Sequence, residues 1–177
     1  MATGESLKNE GMQLYREGRF EEAAAKFAEA QAAFIAHGNA REAAESANNR
    51  GVCWRQAAIG DKARAAFEEA RAAFQSLGDV ADEGQVIGNL GALADSEGQP
   101  DRAAELYGEA IKMLESAGEK DLAQATYAAL SRLKMKRGNW MGAITAYESG
   151  LEEADRPGAM QRVLRGLLGV TRKLGGG

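Results

Sequence analysis

Catalysis needs a nucleophile, a base or a metal cradle, and the residues able to supply them are few in this chain. His37 is the only histidine and Cys53 the only cysteine. One histidine supports neither a multi-histidine metal site nor a nucleophile–histidine pair oriented by a second histidine. At the end of a helical pattern, His37 reads as support for the carboxyl-end dipole. Cys53 lies between Val52 and Trp54, the setting of a buried, inert thiol. The carboxylate pairs Glu21-Glu22, Glu68-Glu69 and Glu152-Glu153 fall at helix starts or on polar faces, where they are solvated charge. Gly88-Asn89-Leu90-Gly91 sits inside a helical pattern rather than after a strand, so it is no phosphate loop. We therefore expect no enzyme, no metal and no cofactor.

The elements that carry these residues repeat. At steps of 40 residues, Gly11 becomes Gly51, Gly91 and Ser131; Ala23 becomes Ala63, Ala103 and Ala143; Phe27 becomes Phe67, Tyr107 and Tyr147. Ala30 becomes Ala70, Ala110 and Gly150, and Gly38 becomes Gly78, Gly118 and Gly158. A fixed period means stacked supersecondary units rather than one closed core. Apolar residues at helical spacing predict helices at 5–17, 20–37, 40–58, 61–77, 80–97, 100–117, 120–137 and 140–155. Gly18, Gly98 and Gly138 supply turns, Asn39 and Asp79 caps, and Pro100 a first helical turn. The small residues let paired helices approach, and the ring fills the gap to the next unit, making one core along the stack. In the second unit Ala58 stands at the turn-glycine place and Gly60 comes later, which predicts a first helix about half a turn longer. A ninth helix over 159–174, with Leu164, Leu167, Leu168 and Val170, is expected to cap the open end, followed by a flexible 175–177.

Composition agrees with a helical, soluble domain: 45% hydrophobic, 27% charged, 6% aromatic and only 2 prolines. A net charge of −4 is too mild to argue for nucleic acid or an anionic membrane. No leader pattern opens the chain and no apolar run reaches the length of a membrane span. With a lone cysteine, a cytoplasmic location is the default expectation.

The pattern resembles the tetratricopeptide repeat (TPR). The resemblance rests on the small-residue and aromatic positions above, on Asn-x-Gly at Asn9–Gly11, Asn49–Gly51 and Asn89–Gly91, and on the turn glycines. A 40-residue period exceeds the family's usual length of about 34, as in the long-repeat subclass of kinesin light chains, Pins-type polarity adaptors and bacterial peptide-sensing regulators. The resemblance implies an all-α, right-handed α-solenoid of four helix-turn-helix units (4–43, 44–83, 84–123, 124–158) plus the capping helix. It further implies a protein-interaction module, an adaptor or scaffold, whose first helices line a concave peptide-binding groove. Self-assembly, or a role as the interaction fragment of a larger regulator, is the rival reading.

On that reading the groove carries Lys8, Asn9, Met12, Arg16, Asn48, Asn49, Arg55, Gln85, Asn89, Arg132 and Lys136. Asn9, Asn49 and Asn89 form a ladder of amides, each both donor and acceptor toward an extended peptide backbone. The cations Lys8, Arg16, Arg55, Arg132, Lys136, Arg165 and Arg172 outnumber Glu5, Glu45 and Asp95 on the inner face, which favours an acidic peptide. The carboxylate clamp of chaperone-binding relatives is not expected: Lys8 and Asn49 match it, but Met12, Gln85 and Asn89 do not.

Overall fold

The structure, a computed structural model, describes residues 3–153. The expected capping helix, its Arg165, Leu168 and Arg172, and the tail lie outside the described residues. All regular elements within them are helices: α1 (Gly4–Arg16), α2 (Phe20–Ala36), α3 (Ala40–Gln56), α4 (Gly60–Leu77), α5 (Val80–Ser96), α6 (Pro100–Ser116), α7 (Lys120–Lys136) and α8 (Trp140–Glu153). Each helix packs on the next, as α1 on α2 and α2 on α3, so four antiparallel pairs stack in chain order. This is a right-handed α-solenoid.

The stops are local. After α1, Gly18 takes φ 77°, and the Arg19 N–H reaches back to the Leu14 carbonyl at 3.0 Å, satisfying a carbonyl that the helix leaves open. The same six-residue closure recurs as Ile59 to Trp54, Gln99 to Ala94 and Asn139 to Lys134. The second unit keeps this register and is not lengthened. Its α3 ends at Gln56, in step with Arg16, Ser96 and Lys136, and Ala58 itself adopts φ 58°. Two backbone bonds, Ala58 N–H to Arg55 O at 3.0 Å and Ile59 N–H to Trp54 O at 2.9 Å, hold an alanine where glycine is usual. Pro100 opens α6 as expected, and the Asp79 carboxylate accepts from the Asp82 N–H at 3.2 Å. Asn39 occupies the cap position of α3 without making a side-chain cap bond.

Glycine and ring meet face to face within each pair. A Cβ on Gly51 would stand 2.5 Å from the Phe67 ring, and one on Gly91 2.9 Å from that of Tyr107. The ring therefore lies against its own unit's first helix as well as filling the core. In the fourth pair Ser131 replaces the glycine, and its Oγ donates to the Ala143 carbonyl at 2.8 Å. The core is not one continuous cluster. A large one runs from Ala44 of α3 to Ala146 of α8, while Phe27 packs with Ala23, Ala24 and Cys53 in a smaller one. Partly buried Trp54 packs against both, and polar groups link α2, α3 and α4. Gln31 donates to Glu69 at 2.6 Å and accepts from Arg50 at 2.8 Å, and Arg50 pairs with Glu69.

Candidate functional site

First helices approach one another across units: α3 meets α5 and α5 meets α7, whereas second helices do not meet comparably. The first helices therefore line the inner side of the stack. Side chains tie that side together. Lys8 of α1 pairs with Glu45 of α3 at 2.6 Å, and Gln56 donates to the Tyr15 hydroxyl at 3.1 Å. Asn89 of α5 donates to Asn48 of α3 at 2.9 Å, and Lys136 of α7 pairs with Asp95 of α5 at 3.0 Å.

Four of the expected groove residues come together. Arg55, Gln85, Asn89 and Arg132 share the wall of a pocket of about 330 Å³ with Ala92 and Tyr107. Two more, Met12 and Asn49, line a separate pocket of about 140 Å³ with Tyr15, Phe27, Val52 and Cys53. The others stand apart: Lys8 and Lys136 are in ion pairs, Asn9 and Arg16 are exposed, and Asn48 is buried at 8% exposure. Asn9, Asn49 and Asn89 thus share a position in the repeat but not an environment.

Charge on the inner side is more local than the composition implies. Glu45 and Asp95 neutralise Lys8 and Lys136, while Arg55 and Arg132 make no ion pair among the described residues. The Arg55 Nε is sealed from solvent with no hydrogen-bond acceptor. Tyr107 belongs to this pocket although its place in the repeat marks it as a core ring. Burial, and then the negative charge of Asp95, push its phenol above the usual tyrosine range, with Arg55 and Arg132 pulling the other way. The change from Phe27 and Phe67 to Tyr107 at one repeat position is the signal that could have found it.

Little else offers chemistry. Cys53 is buried, and burial pushes its thiol up to about 12, so at neutral pH it holds its proton and is a poor nucleophile. The His37 ring N–H donates to the Ala33 carbonyl at 2.7 Å at the end of α2. No cluster of three or more histidine, cysteine, aspartate or glutamate side chains suited to a metal occurs among the described residues. No helix among them is long and apolar enough to cross a membrane.

Comparisons with known proteins agree on architecture. The family described as soluble NSF attachment protein, SNAP, matches residues 5–154. No curated protein matches the chain. The crystal structure of BtubC (BKLC) from P. vanneervenii superposes with TM-score 0.70 at 20% identity, covering 85% of this chain and 62% of that one. The chain thus spans less than two thirds of that relative. A Podosopora anserina putative kinesin light chain with nearly identical TPR-like repeats gives TM-score 0.67 at 14% identity, covering 84% of this chain and 73% of that one. A single-residue variant of that light chain gives the same score at 15% identity. At these identities the likeness speaks to the fold, which is TPR-like.

Proposed function

The chain belongs to the soluble NSF attachment protein family, and from that premise we propose a non-enzymatic adaptor that holds a peptide segment of a partner protein in its concave groove. One observation carries the reading: Arg55, Gln85, Asn89 and Arg132, from three different first helices, converge on one inner pocket. Both arginines lack a carboxylate, although the chain as a whole is acidic. A positive site in an acidic protein steers an acidic segment inward. The family's own description, attachment to another protein, supports an adaptor over a catalyst. The same reading places the chain in the cytoplasm, with no nucleic acid or membrane as partner.

The test is to select peptide ligands from a random library and titrate them against wild type, Ala92→Trp and Ala65→Trp. Ala92 lines the pocket, and Ala65 is exposed on the second helix α4. Affinity should fall about tenfold or more in the groove variant alone. Equal loss in both, or in neither, contradicts the reading.

A second proposal concerns the end of the stack. Trp140, Met141 and Ile144 of α8 are 63%, 67% and 37% exposed. Ile144 stands at the repeat position of Ala24, which is fully buried under the next unit. We assign the cover to residues 159–174, the expected capping helix, where Leu164, Leu167, Leu168 and Val170 would supply its apolar side. Removing 159–174 should lower stability and promote association in light scattering. A full-length chain that already dimerises would show instead that a second copy is the cover.

A further inference from the structure

The pocket walled by α3, α5, α6 and α7 brings together two arginines whose charges no carboxylate pairs with among the described residues. Lys8 and Lys136 each meet a carboxylate, at 2.6 and 3.0 Å, and face a ligand already neutralised. Arg55 and Arg132 meet none among the described residues, and the sealed Arg55 Nε has no acceptor at all. The charges of both guanidinium groups are therefore left for a ligand to answer. The neighbouring groups are donors too: the Tyr107 hydroxyl, the Gln85 amide, and the Asn89 amide, one of whose N–H groups is committed to Asn48. Two planar guanidinium forks with a phenol and amides alongside suit a flat group with two anionic oxygens, which is a carboxylate.

The pocket is open to solvent rather than enclosed, and its walls come from α3, α5, α6 and α7. A chain can run through it rather than end in it. We infer that this pocket is the specificity anchor of the groove, taking one aspartate or glutamate side chain of an extended partner segment between Arg55 and Arg132. Selectivity then resides at this single point and not in a repeated amide ladder. Asn89 serves the flanking backbone, since an amide bonded once still has an N–H and an oxygen to offer. This deepens the groove reading and rests on it.

The experiment uses the full chain and peptides selected from a random library, each synthesised with its acidic residues changed singly to Asn or Gln, and with free and amidated C-termini. Titration calorimetry is run on wild type, Arg55→Gln, Arg132→Gln, Arg132→Lys and the control Lys112→Gln, at an exposed position of the second helix α6, with thermal melts to confirm folding. One internal acidic residue should account for about a tenfold loss on neutralisation. That loss should vanish in Arg55→Gln and Arg132→Gln, persist in part in Arg132→Lys and be unchanged in Lys112→Gln. Affinities indifferent to every acidic residue, or to both arginines, overturn the anchor. So does a requirement for the free C-terminal carboxylate, which would make the pocket a chain-end site. A ligand weakened by Ala92→Trp yet indifferent to the arginines sinks the anchor and spares the groove. A ligand indifferent to Ala92→Trp sinks the groove, and a library that yields no binder counts against both.

Discussion

Asn89 on α5 donates from its Nδ2 to the Oδ1 of Asn48 on α3 at 2.9 Å. The bond joins two units across the groove and orients the one repeated asparagine that shares a pocket with both arginines. Asn48→Ala should cost about 1 kcal/mol in urea unfolding and weaken bound peptide as well, because the Asn89 amide loses its support. Asn9→Ala, at an exposed position, should stay within about 0.5 kcal/mol of wild type. Equal effects at the two sites would argue against the distinction.

Gly51 and Phe67 test how the helix pairs close. Alanine in place of a helical glycine gains about 1 kcal/mol of propensity, but here its Cβ would lie 2.5 Å from the ring. Overpacking of a fixed aromatic should win, so Gly51→Ala is expected to destabilise by about 1–2 kcal/mol net. Phe67→Ala should cost about 3–5 kcal/mol. A Gly51→Ala variant more stable than wild type in urea would show that the ring has room to move.

Ala58 is the one described non-glycine residue with positive φ, at 58°, where the other units have Gly18, Gly98 and Gly138. A side chain in left-handed backbone costs about 1 kcal/mol, partly offset by the greater freedom glycine gives the unfolded chain. Ala58→Gly should therefore stabilise by about 0.5 kcal/mol, read from the shift in urea midpoint. Destabilisation would contradict the turn geometry.

The helices and their pairing were legible because glycine, alanine and ring positions recur at a strict step, and packing demands that recurrence. The site was legible only in part. Asn48 and Asn49 are adjacent in sequence, yet they face different neighbours on a helix, one bonded to Asn89 and the other lining a pocket beside Met12. Composition could count Lys8 and Lys136 as groove cations but could not see Glu45 and Asp95 reach across units to them. At Ala58 the residue type argued for a shifted turn. Two backbone hydrogen bonds and the spacing of the flanking helices decided otherwise.

Cys53 gives the pH dependence a sign. Its folded value of about 12 lies above that of a free thiol, near 8.5. Between those values the unfolded chain releases a proton that the folded chain retains, so stability falls as pH rises through that window. Cys53→Ala should lose this part of the fall, measured as the difference between urea midpoints at about pH 8 and about pH 10.5. The native thiol should also react far more slowly with a disulfide reagent at neutral pH than the urea-unfolded chain. Comparable rates would show Cys53 to be open to solvent.

Photo-cross-linking locates the partner most directly. A benzophenone amino acid placed at Ala92, Ala129 or Ala65 in the full chain is irradiated with a selected acidic peptide, and the adducts are counted by mass. Cross-links at Ala92 and Ala129, competed by unlabelled peptide and absent at Ala65, are the predicted result. Adducts at Ala65 with none at Ala92 or Ala129 would place the partner on the outer helices and contradict the groove.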